Sequence, residues 1–311
     1  MNGGVVATKP SGGHWPDATI VRPAPRWVRF AAPVLSVAII VAVAQTLGHH
    51  DLAAMVRLMP ASPLFWIGIA VTLSLQPVAD FLIFRLLWPL PPAALAALFR
   101  KTASNELLFG YSGELQFYLW ARRHAALITS PFAGVRDVSV LSALVGNAFT
   151  LALLVAAYPM LADIRLGALA APLLWSAVVL IGSSLVVMVL RRHLFGVSPG
   201  QFRAIAAIHL LRAVMATAMI GALWYLVLPE VAIGWWVLLS AARMFVGRLP
   251  FLPNKDLVFA GLATSLVSAD RHIVEAIALV AGVLFAGQVV IGFTFALADL
   301  IGTIIARGRP A

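Results

Sequence analysis

The chain contains no cysteine among its 311 residues, and charged side chains make up only 11% of it. The lack of cysteine excludes disulfide bonds, thiolate metal sites and cysteine nucleophiles. No Gly-x-x-x-x-Gly-Lys-Ser/Thr motif occurs, which argues against direct use of ATP. No polar stretch is long enough for a soluble catalytic domain, and the alternating pattern of membrane β-strands is missing as well.

The residues that are abundant are apolar ones. Hydrophobic residues make up 62% of the chain and the mean hydropathy is +0.97, whereas soluble domains are about half apolar and about a quarter charged. Apolar runs of about 20 residues recur, so we predict an all-α polytopic membrane protein with about seven or eight transmembrane helices. The expected organisation is a disordered cytosolic tail over 1–29, a single transmembrane domain over 30–306 and a basic C-terminal end over 307–311.

The apolar runs give approximate positions for the membrane spans. They are predicted at 30–48, 63–88, 137–161, 171–190, 205–228 and 231–247. The first run ends near Ala42-Val43-Ala44, which is similar to a signal cleavage site, but its long polar leader favours an uncleaved span. We expect Pro77 to kink the second span. The last stretch, 273–306, is either one long helix or two spans hinged near Gly287 or Gly292.

The positive charge follows the ends of the apolar runs. The net charge is +10 at pH 7, and this placement favours the positive-inside rule and attraction to anionic lipids over binding of nucleic acid. The distribution predicts a cytosolic N-terminus, and we expect the protein in the bacterial cytoplasmic (inner) membrane. No cofactor, metal ion or catalytic residue is expected.

The segment 91–124 is interrupted in a way that a plain span is not. The run from Ala93 to Arg100-Lys101 is too short to cross a bilayer, and glycines then break the helix. The pattern predicts a re-entrant hairpin whose second half-helix offers free N–H groups to an anion such as phosphate. The candidate substrate-binding residues are Glu106, Ser112, Gly113 and Glu114, with Ser112 as a helix cap. The alternative is that both glutamates only cap helices at the interface.

A second interrupted segment, 248–269, follows the same logic. Pro250 and Pro253 prevent a continuous helix, and a new helix is expected to run to about Val267. The candidate substrate-binding residues are Arg243, Arg248, Asn254 as N-cap, Lys255 and Asp256. The alternative is an ordinary capped turn at the interface. Two interrupted helices in the two halves of a membrane protein are the pattern expected of a transport site near the midplane.

The order of these elements resembles a known family, the transmembrane region of lysylphosphatidylglycerol synthases and their stand-alone, flippase-like relatives. The resemblance rests on Asn105 to Arg123 with Gly113-Glu114-Leu115, on the charged helix start at Arg136-Asp137, and on Leu249-Pro250 through Gly261. The layout is similar over about 30–306. The resemblance implies a stand-alone member without the soluble synthase domain, with lipid movement as its activity.

The leading hypothesis is an integral membrane lipid translocase that moves an anionic or phosphate-bearing lipid between leaflets. Its expected partners are membrane lipids and proteins of lipid biosynthesis or export. One alternative is a non-catalytic membrane subunit of a lipid or polysaccharide assembly. The other is a membrane-embedded lipid-modifying enzyme, in which Glu114, His209 and Asp256 could supply acid–base chemistry.

Overall fold

A computed structural model describes residues 59–108, 112–124, 131–161, 196–247 and 271–307, and within the gaps also residues 182, 186, 255–256, 259–260 and 263. These residues contain helices and no strand, in agreement with the predicted all-α class. The helices are α1 (Pro63–Leu87), α2 (Ala94–Leu107), α3 (Ser112–His124), α4 (Pro131–Leu161), α5 (Pro199–Val227), α6 (Ile233–Val246) and α7 (Arg271–Arg307). The predicted tail over 1–29, the span over 30–48 and nearly all of the span over 171–190 lie outside the described residues.

Four of these helices, α1, α4, α5 and α7, are long and apolar enough to cross a membrane. Their length and composition indicate an integral membrane protein. They correspond to the predicted spans 63–88, 137–161 and 205–228 and to the final apolar stretch. Helix α7 is continuous over 37 residues, so the single long helix is the correct one of the two alternatives for that stretch.

Helix α6 corrects the predicted span over 231–247. It has 14 residues, or about 21 Å, which is shorter than the hydrocarbon core of about 30 Å. Gly247 ends the helix as its C-cap, and Pro250 would prevent continuation three residues later.

The ends of the long helices are set by local sequence. Pro63 occupies the first turn of α1, where its missing N–H costs nothing, and the helix stops before Pro89. Pro77 lies inside α1, and the helix continues through it. At the start of α5, Ser198 and Gln201 form a reciprocal capping box.

The two largest of the four apolar clusters among the described residues lie at opposite ends of α1 and α5, with a polar layer between them. The first includes Phe65, Ile69, Ile220, Trp224, Trp236 and Ile277. The second includes Phe84, Trp88, Leu98, Phe117, Leu141 and Ile205. Because the start of α1 shares a cluster with the end of α5, and the end of α1 with the start of α5, the two helices run antiparallel. The middle thirds of both helices therefore pass through the polar layer.

Helices α2 and α3 pack against each other, and α2 also packs against α1 and α7. They have 14 and 13 residues, so neither can span a bilayer alone. The predicted interruption of 91–124 is therefore present. Residues 109–111, which contain the first of the two glycines, lie outside the described residues.

Candidate functional site

A cavity of about 180 Å³ lies in the polar layer, between α1, α2, α5, α6 and α7. Its walls carry the charged side chains of Glu106, Arg212, Arg243 and Asp256. The lining residues of α1, α5 and α7 fall near the middle of these three candidate spans. A polar cavity at mid-span is where membrane transport proteins bind their substrates.

Both interrupted segments that were predicted from the sequence contribute to this cavity. Glu106 comes from the first segment and Asp256 from the second, and Arg243 stands at the end of α6 just before the second. Glu106 lies within electrostatic range of Arg243, Lys255 and Asp256. Four of the nine predicted binding residues are thus brought together.

Arg243 and Asp256 form a two-pronged ion pair across the cavity wall. The Arg243 guanidinium donates from Nε to Oδ1 of Asp256 at 2.7 Å and from Nη2 to Oδ2 at 3.0 Å. Such fork-like geometry is stronger and more directional than a single charged contact. Each of these two charges is therefore largely neutralised by the other.

Glu106 and Arg212 differ from that pair because neither has a charged partner at contact distance among the described residues. No hydrogen bond or ion pair joins the Glu106 carboxylate to a described residue. Arg212 donates from Nη2 to the Ser142 hydroxyl at 3.3 Å, while its buried Nε has no partner among the described residues. The cavity thus offers one carboxylate and one guanidinium to whatever enters it.

The uncharged part of the lining contains both polar and apolar side chains. The polar side chains are Thr72, Gln76, Thr102 and Gln288, and Phe285 is the single aromatic residue among the described lining residues. Gln76 also donates from Nε2 to Oδ1 of Asp80 at 2.8 Å. This bond connects the cavity to a second group of charges behind it.

That second group is a buried ion network of Asp80, Lys101 and Glu114. The Lys101 ammonium lies 2.7 Å from Oδ2 of Asp80 and 3.2 Å from Oε1 of Glu114. Asp80 is 1% exposed and Lys101 is 5% exposed. Buried charges of this kind must be paired to persist, so the network holds α1, α2 and α3 in register.

At the start of α3, one of the N–H groups that the sequence predicts to be free is engaged within the protein. The Gly113 N–H donates to Oδ1 of Asn105 at 2.7 Å. Ser112, predicted to accept a bond as a cap, instead donates its hydroxyl to the carbonyl of Ser104 at 2.8 Å. Ser112, Gly113 and Glu114 thus all contact α2, and none of them is among the residues that line the cavity.

Glycine at position 113 is required by close packing. A Cβ there would lie 2.0 Å from the Lys101 carbonyl oxygen and 2.8 Å from Oδ1 of Asn105. Only a residue without a side chain allows α3 to approach α2 this closely. The Ser104 hydroxyl reaches Gln116 at 2.7 Å across the same contact.

In the second interrupted segment, Lys255 is also engaged with the protein. Its ammonium donates to the carbonyl of Gly247 at 2.7 Å, which satisfies a backbone group at the end of α6. Arg248 and Asn254, the other predicted binding residues of this segment, lie outside the described residues. The N-cap predicted at Asn254 and the helix end near Val267 lie there too.

Arg136 and Asp137, near the start of α4, form an ion pair. Nη2 of Arg136 lies 2.7 Å from Oδ1 of Asp137. Asp137 also accepts the backbone N–H of Gly196 at 2.7 Å. The pair therefore ties the start of α4 to the chain just before α5.

Sequence reasoning missed Lys101, Gln76 and Arg212. Lys101 reads as one more basic residue at the end of an apolar run, and Arg212 reads as a residue whose side chain snorkels to the interface. The position of Arg212 carried a usable signal, because it lies near the centre of α5, too far from either end for its side chain to reach water. Arg85, in the last turn of α1, is exposed as snorkelling predicts.

Comparison with known proteins adds no assignment to this geometry. No protein-family model matches the chain, and no curated protein and no solved structure matches it.

Proposed function

We propose that the protein is a flippase-like lipid translocase that moves a phosphate-bearing lipid between the two leaflets. Its proposed location is the bacterial cytoplasmic membrane, with a cytosolic N-terminus. One observation carries the proposal: a cavity with charged walls lies at mid-length of three candidate spans. In this arrangement α2 and α3 are the two arms of a re-entrant hairpin within a bundle of seven or eight spans.

The physical problem in lipid translocation is the headgroup. Charged groups are costly in hydrocarbon and need a partner or water there. The mid-span cavity supplies Arg212 for a phosphate and four uncharged polar side chains for the remaining oxygens. A guanidinium is well suited to phosphate because its donors match the geometry of the oxygens.

The acyl chains would remain outside the cavity. A volume of about 180 Å³ admits a compact headgroup and no long chain. Apolar side chains on α5 and α7 are exposed, with Leu211 at 59% and Val290 at 64%. Such surfaces suit the hydrocarbon interior, so the chains can stay in the bilayer while the headgroup crosses. Net movement of the lipid would be driven by its concentration gradient or by consumption of the lipid on the far side.

The resemblance in the sequence to flippase-like membrane proteins points to the same class. The alternative of a non-catalytic subunit predicts that the isolated protein moves nothing, and the enzyme alternative predicts a chemically altered lipid. A single reconstitution experiment separates these outcomes.

Purified protein is placed in liposomes with trace acyl-chain-labelled phospholipids, and an impermeant reductant bleaches label in the outer leaflet. We expect the wild type to let the inner-leaflet pool become bleached while the lipid stays chemically unchanged. Arg212→Gln should slow crossing about tenfold, since it removes a charge-assisted contact. Arg85→Gln, a change of an exposed arginine on another span, should behave as wild type. Absence of crossing with every phosphate-bearing lipid would contradict the proposal.

A further inference from the structure

The charged side chains that line the described part of the cavity balance one another. There are two cations, Arg212 and Arg243, and two anions, Glu106 and Asp256. Arg243 and Asp256 are joined by two hydrogen bonds. What remains is one guanidinium and one carboxylate, of opposite sign and in one cavity.

A headgroup with only negative charge fits this arrangement poorly. Its phosphate could pair with Arg212, but Glu106 would still have no cation at contact distance among the described residues, and its carboxylate would repel the ligand. An unpaired carboxylate within a membrane protein is costly until a cation or a proton joins it. A headgroup with both a phosphate and an ammonium group would satisfy both unpaired side chains at once.

We propose that the cavity binds a zwitterionic lipid headgroup, with its phosphate at Arg212 and its primary ammonium at Glu106. The inference rests on the proposed function and narrows its substrate class from any phosphate-bearing lipid to one that also carries an amine. The volume agrees with this class, because about 180 Å³ equals about six water volumes at about 30 Å³ each. A phosphate joined to an ammonium group by a short linker has a volume of that order.

The lining also favours a primary over a quaternary ammonium. A primary ammonium donates N–H bonds to a carboxylate, whereas a trimethylated nitrogen has none to donate. Quaternary ammonium groups are bound by cages of several aromatic rings. Phe285 is the single aromatic side chain in the described lining, so such a cage is not formed by these residues.

The test compares acyl-chain-labelled phosphatidylethanolamine, phosphatidylcholine and phosphatidylglycerol in the reconstituted system. For wild type we expect phosphatidylethanolamine to cross about tenfold faster than the other two lipids. A tenfold ratio of rates is what one additional charge-assisted contact produces. Glu106→Gln should remove this preference and leave phosphatidylglycerol crossing unchanged or faster. Glu230→Gln, a change of an exposed glutamate in the turn between α5 and α6, serves as the matched control.

A charge-reversal variant distinguishes a lost headgroup contact from a folding defect. Glu106→Lys adds a second cation without an anionic partner beside Arg212, so we expect phosphatidylglycerol to become the preferred lipid. Gain of crossing for one lipid cannot result from unfolding. If phosphatidylglycerol is already preferred by wild type, or if both Glu106 variants keep the wild-type ranking, the zwitterion assignment is overturned while the translocase stands.

A binding measurement separates the headgroup assignment from transport itself. Short-chain dihexanoyl phosphatidylethanolamine and phosphatidylglycerol are added to the detergent-solubilised protein, and thermal unfolding is followed. If the phosphatidylethanolamine stabilises the wild type but not Glu106→Gln, the headgroup site is supported. This holds even if no lipid crosses in liposomes, and in that case only the translocase proposal is overturned. Absence of both crossing and stabilisation overturns both.

Discussion

Two groups of charges lie side by side in the polar layer, and they differ in whether they are paired. In the buried network, Lys101 contacts Asp80 at 2.7 Å and Glu114 at 3.2 Å. In the cavity, Glu106 and Arg212 have no charged partner at contact distance among the described residues. Glu106 and Glu114 are eight positions apart in one segment, yet one stabilises the fold and the other faces an open site.

The helix break explains why the two glutamates diverge. Glu106 is in the last turn of α2, whereas Glu114 is in the first turn of α3. Because α3 packs against α2, Glu114 points to Lys101, while Glu106 faces the cavity near α6. The residue type and its position in the sequence therefore do not reveal the role of such a carboxylate. The role follows from the group that the carboxylate contacts in the folded protein.

The largest effect is expected from removing the central cation of the network. Lys101→Met leaves Asp80 buried and negatively charged, so we expect a loss of about 3–5 kcal/mol in the free energy of unfolding. Thermal or denaturant unfolding in detergent measures it. Replacing all three charges, as Asp80→Asn with Lys101→Met and Glu114→Gln, should recover at least half of this loss. A single Lys101→Met protein as stable as wild type would show that the network is not structural.

A smaller loss is expected where α2 and α3 meet. Gly113→Ala puts a methyl group against the Lys101 carbonyl oxygen, and overpacking of this kind costs about 1–3 kcal/mol. Gly182→Ala is the matched control, because among the described residues no atom outside the neighbouring turns of its own helix lies within 4 Å of a Cβ at that position. Equal stability of the two variants would contradict the close approach of the helices.

A still smaller effect on stability, with a measurable effect on selectivity, is expected at the Arg243–Asp256 pair. Asp256→Asn should cost about 1 kcal/mol, the value of an ordinary hydrogen bond, since the aspartate is 32% exposed. It also leaves Arg243 unneutralised, so relative crossing of phosphatidylglycerol should rise several-fold over phosphatidylethanolamine. An unchanged ratio in the leaflet-exchange assay would show that this pair does not contribute to the cavity potential.

Much of the fold can be read from the sequence, because length and apolarity decide which segments can span a membrane. The four long helices and the break in 91–124 follow from hydropathy and from the glycines. The convergence of Glu106 with Arg243 and Asp256 agrees with the idea that two interrupted segments form one site. Helix α6 is shorter than the span predicted for it, because the chain turns at Gly247 before the helix reaches the length of a membrane span.

The partners of buried charges cannot be read in the same way. Asp80 stands out in an apolar run, but its cation, Lys101, is 21 positions away on another helix. The bond from Asn105 to the Gly113 N–H likewise depends on how α3 folds back onto α2. These contacts are set by tertiary packing, and no local pattern in the sequence specifies them.

The most direct test of the account compares Glu106→Gln with Glu114→Gln. Both are measured for thermal unfolding and for leaflet exchange of phosphatidylethanolamine at equal amounts of folded protein. We expect Glu114→Gln to lose about 1.5 kcal/mol of stability, the lower value for a bond to a charged group, and to keep most of its crossing rate. Glu106→Gln should keep its stability within about 0.5 kcal/mol and lose about nine tenths of its crossing rate. The reverse pattern, with crossing dependent on Glu114 and indifferent to Glu106, would contradict the assignment of the cavity as the headgroup site.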